Sequence, residues 1–203
     1  MPIHSVSGDL FANRINARAF AQGCNCQGSM GAGIAVGFKE RYPAMYEEYR
    51  RHCKAKPREF NIGDVFLWQE ADKPAVFNLG TQEDYWRSRA TYEGVERCLV
   101  NMLQAADSAK ISSIALPRIG AGYGGLSWRK VRVIIERVFA DWSGDLEICQ
   151  SLLSGAPGIS GLPPSISRIV VALASFPTGC STRTPSGKCP GQQKISGTCT
   201  SSQ

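Results

Sequence analysis

The sequence predicts an α/β fold of three layers, with helices on both faces of a central β-sheet. Short apolar runs alternate with amphipathic segments along residues 1–150, which is typical of this class. Hydrophobic residues make up 43% of the 203-residue chain and charged residues 20%, enough to build one buried core. This composition excludes a disordered polyelectrolyte and a bundle of membrane helices.

The apolar runs predict six strands, at 3–7, 19–24, 65–68, 75–79, 113–116 and 146–149. Helices are predicted at 34–42 and 43–52, with Pro43 suited to a first helical turn. Two more helices follow Thr91 and Ser127, residue types that cap helix N-termini. Buried strands that alternate with helices favour a largely covered sheet.

The composition changes near residue 150. Ser, Thr, Gly and Pro supply 29 of the 53 residues at 151–203, and all 17 acidic residues lie before this segment. We therefore predict a folded domain at 1–150 and a low-complexity, disordered tail at 151–203. Because 19 of the 23 basic residues also lie in 1–150, the domain carries only +2 of the formal charge of +6, a weak indication of a basic binding face.

Targeting signals are not visible in the sequence. The N-terminus lacks a charged region followed by an apolar stretch, and no apolar run approaches the roughly 20 residues of a membrane helix. We expect a monomeric cytoplasmic protein without a membrane partner, nuclear as an alternative in a eukaryote, whose eight cysteines are reduced thiols.

Two glycine-rich segments follow predicted strands and precede predicted helices, at residues 24–35 and 117–128. Glycine lets the backbone approach a ligand closely, and the free N–H groups of a following helix attract anions. Two such loops can hold a pyrophosphate from both sides. For either loop alone, glycines that merely permit tight turns are an equal explanation.

The second loop also matches the G-x-G-x-x-G pattern of dinucleotide-binding domains. Gly120, Gly122 and Gly125 supply the glycines, and Asp141 is the candidate ribose-binding acid. That acid should end the next strand, whereas Asp141 precedes the predicted strand at 146–149. A dinucleotide-binding domain is therefore the second-ranked interpretation of this loop, and a nicotinamide-dependent oxidoreductase is the least favoured function.

Three ordered motifs resemble the macrodomains, a family that binds ADP-ribose. They are Gly8-Asp9-Leu10-Phe11, the Cys24-Asn25-Cys26 segment running to Ala35, and the Pro117-Arg118-Ile119-Gly120 segment running to Trp128. The similarity is greatest to the branch that contains the terminal ADP-ribose protein glycohydrolase, the antitoxin that removes ADP-ribose from DNA, and the yeast-type ADP-ribose 1''-phosphate phosphatase. The resemblance implies a mixed central sheet, ADP-ribose or an ADP-ribosylated protein or nucleic acid as partner, and neither metal nor cofactor.

The resemblance also assigns the binding residues. Asp9 is expected to read the adenine amino group, residues 31–35 to hold the pyrophosphate and distal ribose, and residues 120–126 to close the other side. The expected ligand-binding residues are Asp9, Leu10, Asn25, Gly31, Ala32, Gly33, Ile34, Ala35, Gly120, Ala121, Gly122, Tyr123, Gly124, Gly125 and Leu126. Their alternatives are structural: Asp9 can cap a turn, and Asn25 can bond its own loop.

This chain lacks the catalytic residue types of these relatives at the corresponding positions. Gln82 stands at the position of their lysine, Gln22 stands where the phosphatase has histidine, and the second glycine loop has no acid. Gln82, Glu83 and Asp84 are the catalytic candidates left, for positioning a water or acting as a general base. Two functions stay open: a hydrolase of an ADP-ribosyl bond or of ADP-ribose 1''-phosphate, and a non-catalytic ADP-ribose reader.

Overall fold

The structure, a computed structural model, describes residues 3–150. The predicted tail at 151–203 lies outside the described residues. The elements in chain order are β1 (Ile3–Val6), a 3-10 helix (Leu10–Ala12), β2 (Ala19–Asn25), α1 (Ile34–Arg41), α2 (Pro43–Lys54), β3 (Val65–Trp68), β4 (Ala75–Gln82), α3 (Tyr92–Ser108), β5 (Ser113–Pro117), α4 (Trp128–Val138) and β6 (Asp145–Cys149).

The strands form one mixed sheet in the order β1-β6-β5-β2-β4-β3. Neighbouring strands are parallel except β3, which pairs with β4 in the antiparallel direction from Val65 opposite Leu79 to Trp68 opposite Val76. The prediction of an α/β fold with a mixed central sheet is confirmed. The order does not match the 3-2-1-4-5-6 sheet of dinucleotide-binding domains, so the oxidoreductase alternative loses its structural support.

Alternate residues along the strands enter two separate cores. Phe77 and Leu79 of β4 pack on one face of the sheet with apolar residues of α3 and α4. Phe20 of β2 and Val76 of β4 pack on the other face with residues of α1 and α2. Burial on both faces explains why the strands have long apolar runs, and it confirms the three layers.

The central strands β2 and β5 diverge toward their carboxyl ends. Their parallel pairing consists of Ala19 opposite Ile114 and Phe20 opposite Ala115. Strand β2 then continues to Asn25 along β4, whereas β5 continues along β6. The two strands therefore enclose an opening at the edge of the sheet where both glycine loops begin.

Strand β4 runs three residues beyond its predicted end, from Gly80 to Gln82. These residues lack the apolar pattern of a strand, and their pairing with β2 is a tertiary effect. Gly80 is buried against the segment before β3: its N–H donates to the Asp64 carbonyl at 2.9 Å, and its carbonyl accepts from the Gly63 N–H at 2.8 Å.

The helix starts largely follow the predicted caps. The Thr91 side chain accepts a hydrogen bond from the Gly94 N–H at 3.0 Å. Ser127 occupies the N-cap position of α4, but its side chain makes no capping hydrogen bond. None of the helices in residues 3–150 has both the length and the apolar character needed to cross a bilayer.

We expect Gly80→Ala to destabilise the domain. An added Cβ would lie 2.3 Å from the Asn61 carbonyl oxygen, a backbone atom that already accepts from the Asp64 N–H at 3.0 Å. Overpacking of this kind costs about 1–3 kcal/mol or more in the free energy of unfolding, measured by urea denaturation. Gly31→Ala is the control, because its Cβ would meet its nearest atom, Ser29 Oγ, at 3.8 Å. Equal stability of the two variants would contradict this packing.

Candidate ligand-binding site

A cavity of about 630 Å³ opens at the carboxyl ends of β2, β4 and β5. Ligands of open α/β sheets bind at this edge, where strand connections diverge. Predicted residues that line the cavity are Asn25, Gly31, Ala32, Gly33, Ile34, Ala35, Gln82, Gly120, Gly122, Tyr123 and Gly124. The remaining lining residues are Gly23, Cys24, Ser29, Thr81, Tyr85, Pro117, Arg118 and Ile119.

The first glycine loop leads directly into α1. Gly33 holds the N-cap position with φ 61° and ψ −147°, a conformation essentially restricted to glycine, and no side chain caps the helix. The N–H groups at the start of α1, including those of the lining residues Ile34 and Ala35, therefore have no capping partner. Such groups favour an anion.

Asn25 holds the start of this loop from inside. Its Oδ1 accepts from the N–H groups of Gln27 at 3.0 Å and Ser29 at 3.2 Å, and its Nδ2 donates to the Ser29 carbonyl at 2.7 Å. The buried Tyr49 hydroxyl donates to the Asn25 carbonyl at 2.5 Å. The structure thus places Asn25 beside the cavity with its side chain bonded to its own loop.

Backbone hydrogen bonds within the second glycine loop close it on itself. The Leu126 N–H donates to the Gly120 carbonyl at 2.9 Å, and the Gly125 N–H donates to Gly122 at 3.0 Å. Positive φ values at Gly120 (70°) and Gly125 (71°) permit this closed conformation. The Tyr123 ring reaches the first loop, since a Cβ on Gly33 would lie 3.2 Å from Tyr123 Cε2. The two loops therefore meet over the cavity.

The cavity has a positive electrostatic character. Among the lining residues in the described part of the chain, Arg118 is the one charged side chain, and none is a carboxylate. Arg118 is exposed and lies over the Trp128 ring, with 5.3 Å between the guanidinium carbon and the ring centroid. A cation together with uncapped N–H groups fits a ligand that carries phosphate.

The three catalytic candidates lie in different surroundings. Gln82 lines the cavity, and its Nε2 donates to the Asp84 carbonyl at 2.9 Å. Glu83 does not line it and forms a bidentate ion pair with Arg58, which also donates from Nε to Asn61 Oδ1 at 2.9 Å. The ion pair ties the loop after β4 to the segment between α2 and β3.

Asp84 organises the following turn rather than the cavity wall. Its Oδ1 accepts from the N–H groups of Trp86 at 3.0 Å and Ser88 at 2.9 Å, and from that of Arg87. Desolvation acts to raise its pKa, but these backbone hydrogen bonds outweigh it and hold the pKa of Asp84 below its ordinary value. The carboxylate is thus ionised at neutral pH and occupied by its own loop.

Five predicted binding residues do not line the cavity: Asp9, Leu10, Ala121, Gly125 and Leu126. Asp9 caps the 3-10 helix, accepting from the Phe11 N–H at 2.8 Å, and Leu10 is buried in the core on the α1 and α2 face. The capping role is the structural alternative for Asp9, and contact of Asp9 with adenine stays a prediction.

The thiols near the site are buried and protonated. Burial raises the pKa of Cys26, beside the first loop, to about 12, with a further contribution from the Glu83 carboxylate. Burial also raises the pKa of Cys24 well above its ordinary value and that of Cys53 to about 11. Neutral thiols are poor nucleophiles, so these cysteines act as core and loop residues.

Sequence reasoning missed several wall residues for identifiable reasons. Arg118 could have been found from the sequence, because it is a charged residue directly between strand β5 and the first glycine of the second loop. Thr81 and Tyr85 lie at the end of β4 and just after it, and they reach the wall only because β4 extends beside β2. No local pattern reveals that extension.

Comparison with known proteins agrees with this geometry. The Macro domain family model matches residues 21–135. The DNA ADP-ribosyl glycohydrolase of Mycobacterium tuberculosis (strain ATCC 25618 / H37Rv) is 35% identical over 128 residues, which cover 62% of this chain and 35% of that protein. The ADP-ribose 1''-phosphate phosphatase of Meyerozyma guilliermondii is 27% identical over 162 residues, covering 66% of this chain and 93% of that protein.

A solved structure shows the same fold. The macrodomain of Mycobacterium tuberculosis DarG superimposes with a TM-score of 0.67 at 30% sequence identity, covering 74% of this chain and 99% of that one. The chain is a member of the macrodomain family, as the match over more than half of its length shows. It spans about a third of the length of the curated DNA ADP-ribosyl glycohydrolases that it matches.

We expect Tyr49→Phe to lower stability, because the buried Asn25 carbonyl would lose its hydroxyl donor. An unsatisfied buried acceptor costs about 1–3 kcal/mol, which urea denaturation would measure. Tyr46→Phe is the matched control on the same helix: Tyr46 is half-buried under Lys39, and its ring is retained. If both variants unfold at the same urea concentration, the hydroxyl does not support the loop.

Proposed function

We propose that this macrodomain binds ADP-ribose in the cavity between the two glycine loops and hydrolyses the bond that links ADP-ribose to DNA. The observation that carries the binding proposal is the composition of the wall within residues 3–150: uncapped backbone donors and Arg118, with no carboxylate. Such a wall stabilises a diphosphate and repels none of its charge. The cavity volume lies within the usual range for small-molecule sites.

The choice of reaction is supported by the relatives. Proteins named DNA ADP-ribosyl glycohydrolase are up to 35% identical to this chain, and the phosphatases named above act on a related ADP-ribose ester. In the proposed reaction, the bond between the distal ribose carbon and the DNA base breaks. Water supplies a hydroxyl to the ribose carbon, and the DNA base leaves with the proton. The pocket would fix ribose and diphosphate, so that the bond to the target stands at the cavity mouth.

Gln82 is the proposed positioning group at that mouth. It lines the cavity, and its Nε2 donates to the Asp84 carbonyl, so the proposed water would donate to its Oε1. An amide cannot form a Schiff base, so the lysine-dependent route of the similar glycohydrolases would not operate here. A general-base role for Glu83 or Asp84 requires either carboxylate to leave its present partners.

One observation favours the second candidate function, a reader that binds without cleaving. Neither of the two nearest carboxylates after β4 lines the cavity, and both are engaged elsewhere. A general base is thus not prearranged in the described residues. Nucleotide binding would be equally strong in a reader, and only turnover separates the two functions.

We expect ADP-ribose to bind far more tightly than NAD, whose distal ribose carries a cationic nicotinamide. Arg118→Gln should weaken ADP-ribose binding about tenfold or more, since a charge-assisted hydrogen bond contributes about 1.5–3 kcal/mol. Calorimetric titration measures the affinities for ADP-ribose and NAD and the effect of the substitution. Arg132→Gln is the charge-matched control, because Arg132 pairs with Glu136 on α4. Tighter binding of NAD, or equal losses in both variants, would overturn the proposed site.

For catalysis, we expect the release of ADP-ribose from an ADP-ribosylated oligonucleotide to proceed without a covalent enzyme intermediate. Borohydride should trap nothing, because no lysine stands at position 82. Gln82→Ala should lower kcat more than it changes KM, whereas Glu83→Gln and Asp84→Asn test the base roles. Binding of ADP-ribose with no release from modified DNA, modified protein or ADP-ribose 1''-phosphate would establish the reader.

A further inference from the structure

Exposed aromatic side chains concentrate at the mouth of the cavity. Among the Phe, Tyr and Trp residues in 3–150, the three that are highly exposed are Tyr85 (60%), Trp86 (65%) and Tyr123 (76%). Tyr85 and Tyr123 line the cavity, and Trp86 is the next residue after Tyr85. Exposed aromatic groups cost free energy in water unless a partner covers them, so their position at one mouth indicates a contact surface. We call these three residues the aromatic rim.

The loop that carries Tyr85 and Trp86 is firmly held. The Asp84 carboxylate accepts from three consecutive backbone N–H groups, those of residues 86–88, and the Arg58 to Glu83 ion pair anchors the loop at its start. At its end, the Ala90 N–H donates to the Gly124 carbonyl of the second glycine loop at 3.2 Å. The Trp86 ring is therefore presented on a prearranged turn.

The charges beside the aromatic rim are predominantly cationic. The Arg87 guanidinium carbon lies 4.1 Å from the Trp86 ring centroid, and the Arg89 guanidinium covers Gly125. Arg118 lines the cavity. The nearby acids are neutralised, Glu83 by Arg58 and Asp84 by backbone donors. A partner with negative charge and flat apolar groups complements this surface.

We propose that the aromatic rim binds the single-stranded DNA next to the modified nucleotide, with a base stacked on Trp86 and a phosphate beside Arg87. This inference rests on the proposed function, since it places the DNA where the distal ribose would leave the cavity. Aromatic side chains interleaved with cations are the recurring means of holding single strands without reading their sequence. An acidic peptide would use the cations but would leave the exposed ring faces uncovered.

The test compares two ligands across matched variants. ADP-ribose is titrated by calorimetry, and an ADP-ribosylated single-stranded oligonucleotide is measured by fluorescence anisotropy, or by single-turnover release if it is cleaved. Trp86→Ala should weaken the interaction with the oligonucleotide about 5- to 150-fold, the loss of one stacked base, and leave ADP-ribose affinity unchanged. Arg87→Gln should make the affinity for the oligonucleotide less dependent on salt.

Two controls lie on α4, with an exposed apolar side chain and an exposed cation. Val133→Ala and Arg132→Gln should alter neither ligand. Equal affinity of wild type and Trp86→Ala for the oligonucleotide would overturn this inference. If the wild type still binds ADP-ribose, the proposed binding function would be unaffected. Equal losses for both ligands would place Trp86 in the nucleotide pocket and overturn the inference. An ADP-ribosylated peptide is measured as a third ligand, and a larger loss for it than for the oligonucleotide would indicate a protein target instead. A wild-type protein that binds no ADP-ribose would refute both proposals.

Discussion

The short pairing between β2 and β5 is the constraint on which the site depends. These two central strands share two residue pairs and then separate, β2 following β4 and β5 following β6. Each strand is thus stabilised by its outer neighbour while the space between the carboxyl ends stays open. Both glycine loops begin at this opening, so a ligand between them would lie against backbone from two segments that are far apart in the chain.

The second feature is the removal of negative charge from the site. Two acids follow β4 directly, and either would oppose a diphosphate if it faced the cavity. Glu83 is held by Arg58, and Asp84 is turned into its own loop, where it accepts three backbone hydrogen bonds. The same contacts that fix the loop also leave Arg118 as the charged residue of the wall. The contacts that make the loop after β4 rigid therefore also keep its negative charges out of the cavity.

Local patterns predicted the secondary structure well because burial on both faces gives long apolar runs. The bounds of β3 were predicted exactly, and those of β2 within one residue. Sheet order and the extension of β4 to Gln82 depend on pairing between distant segments, which periodicity does not encode. The glycine loops identified most of the cavity wall. The ion pair of Glu83 with Arg58 could not be predicted, because the two residues lie 25 positions apart and belong to no common local pattern.

The buried thiols give the domain a set of internal reporters. Cys24 and Cys26 mark the end of β2 and its loop, Cys53 marks α2, Cys98 marks α3 and Cys149 marks β6, and all five are buried. Burial raises the pKa of Cys98 and Cys149 to about 12, as for Cys26, so at neutral pH these sulfurs react with an alkylating reagent only after their surroundings open. Mapping the order in which they are alkylated would therefore reveal which layer of the domain separates first.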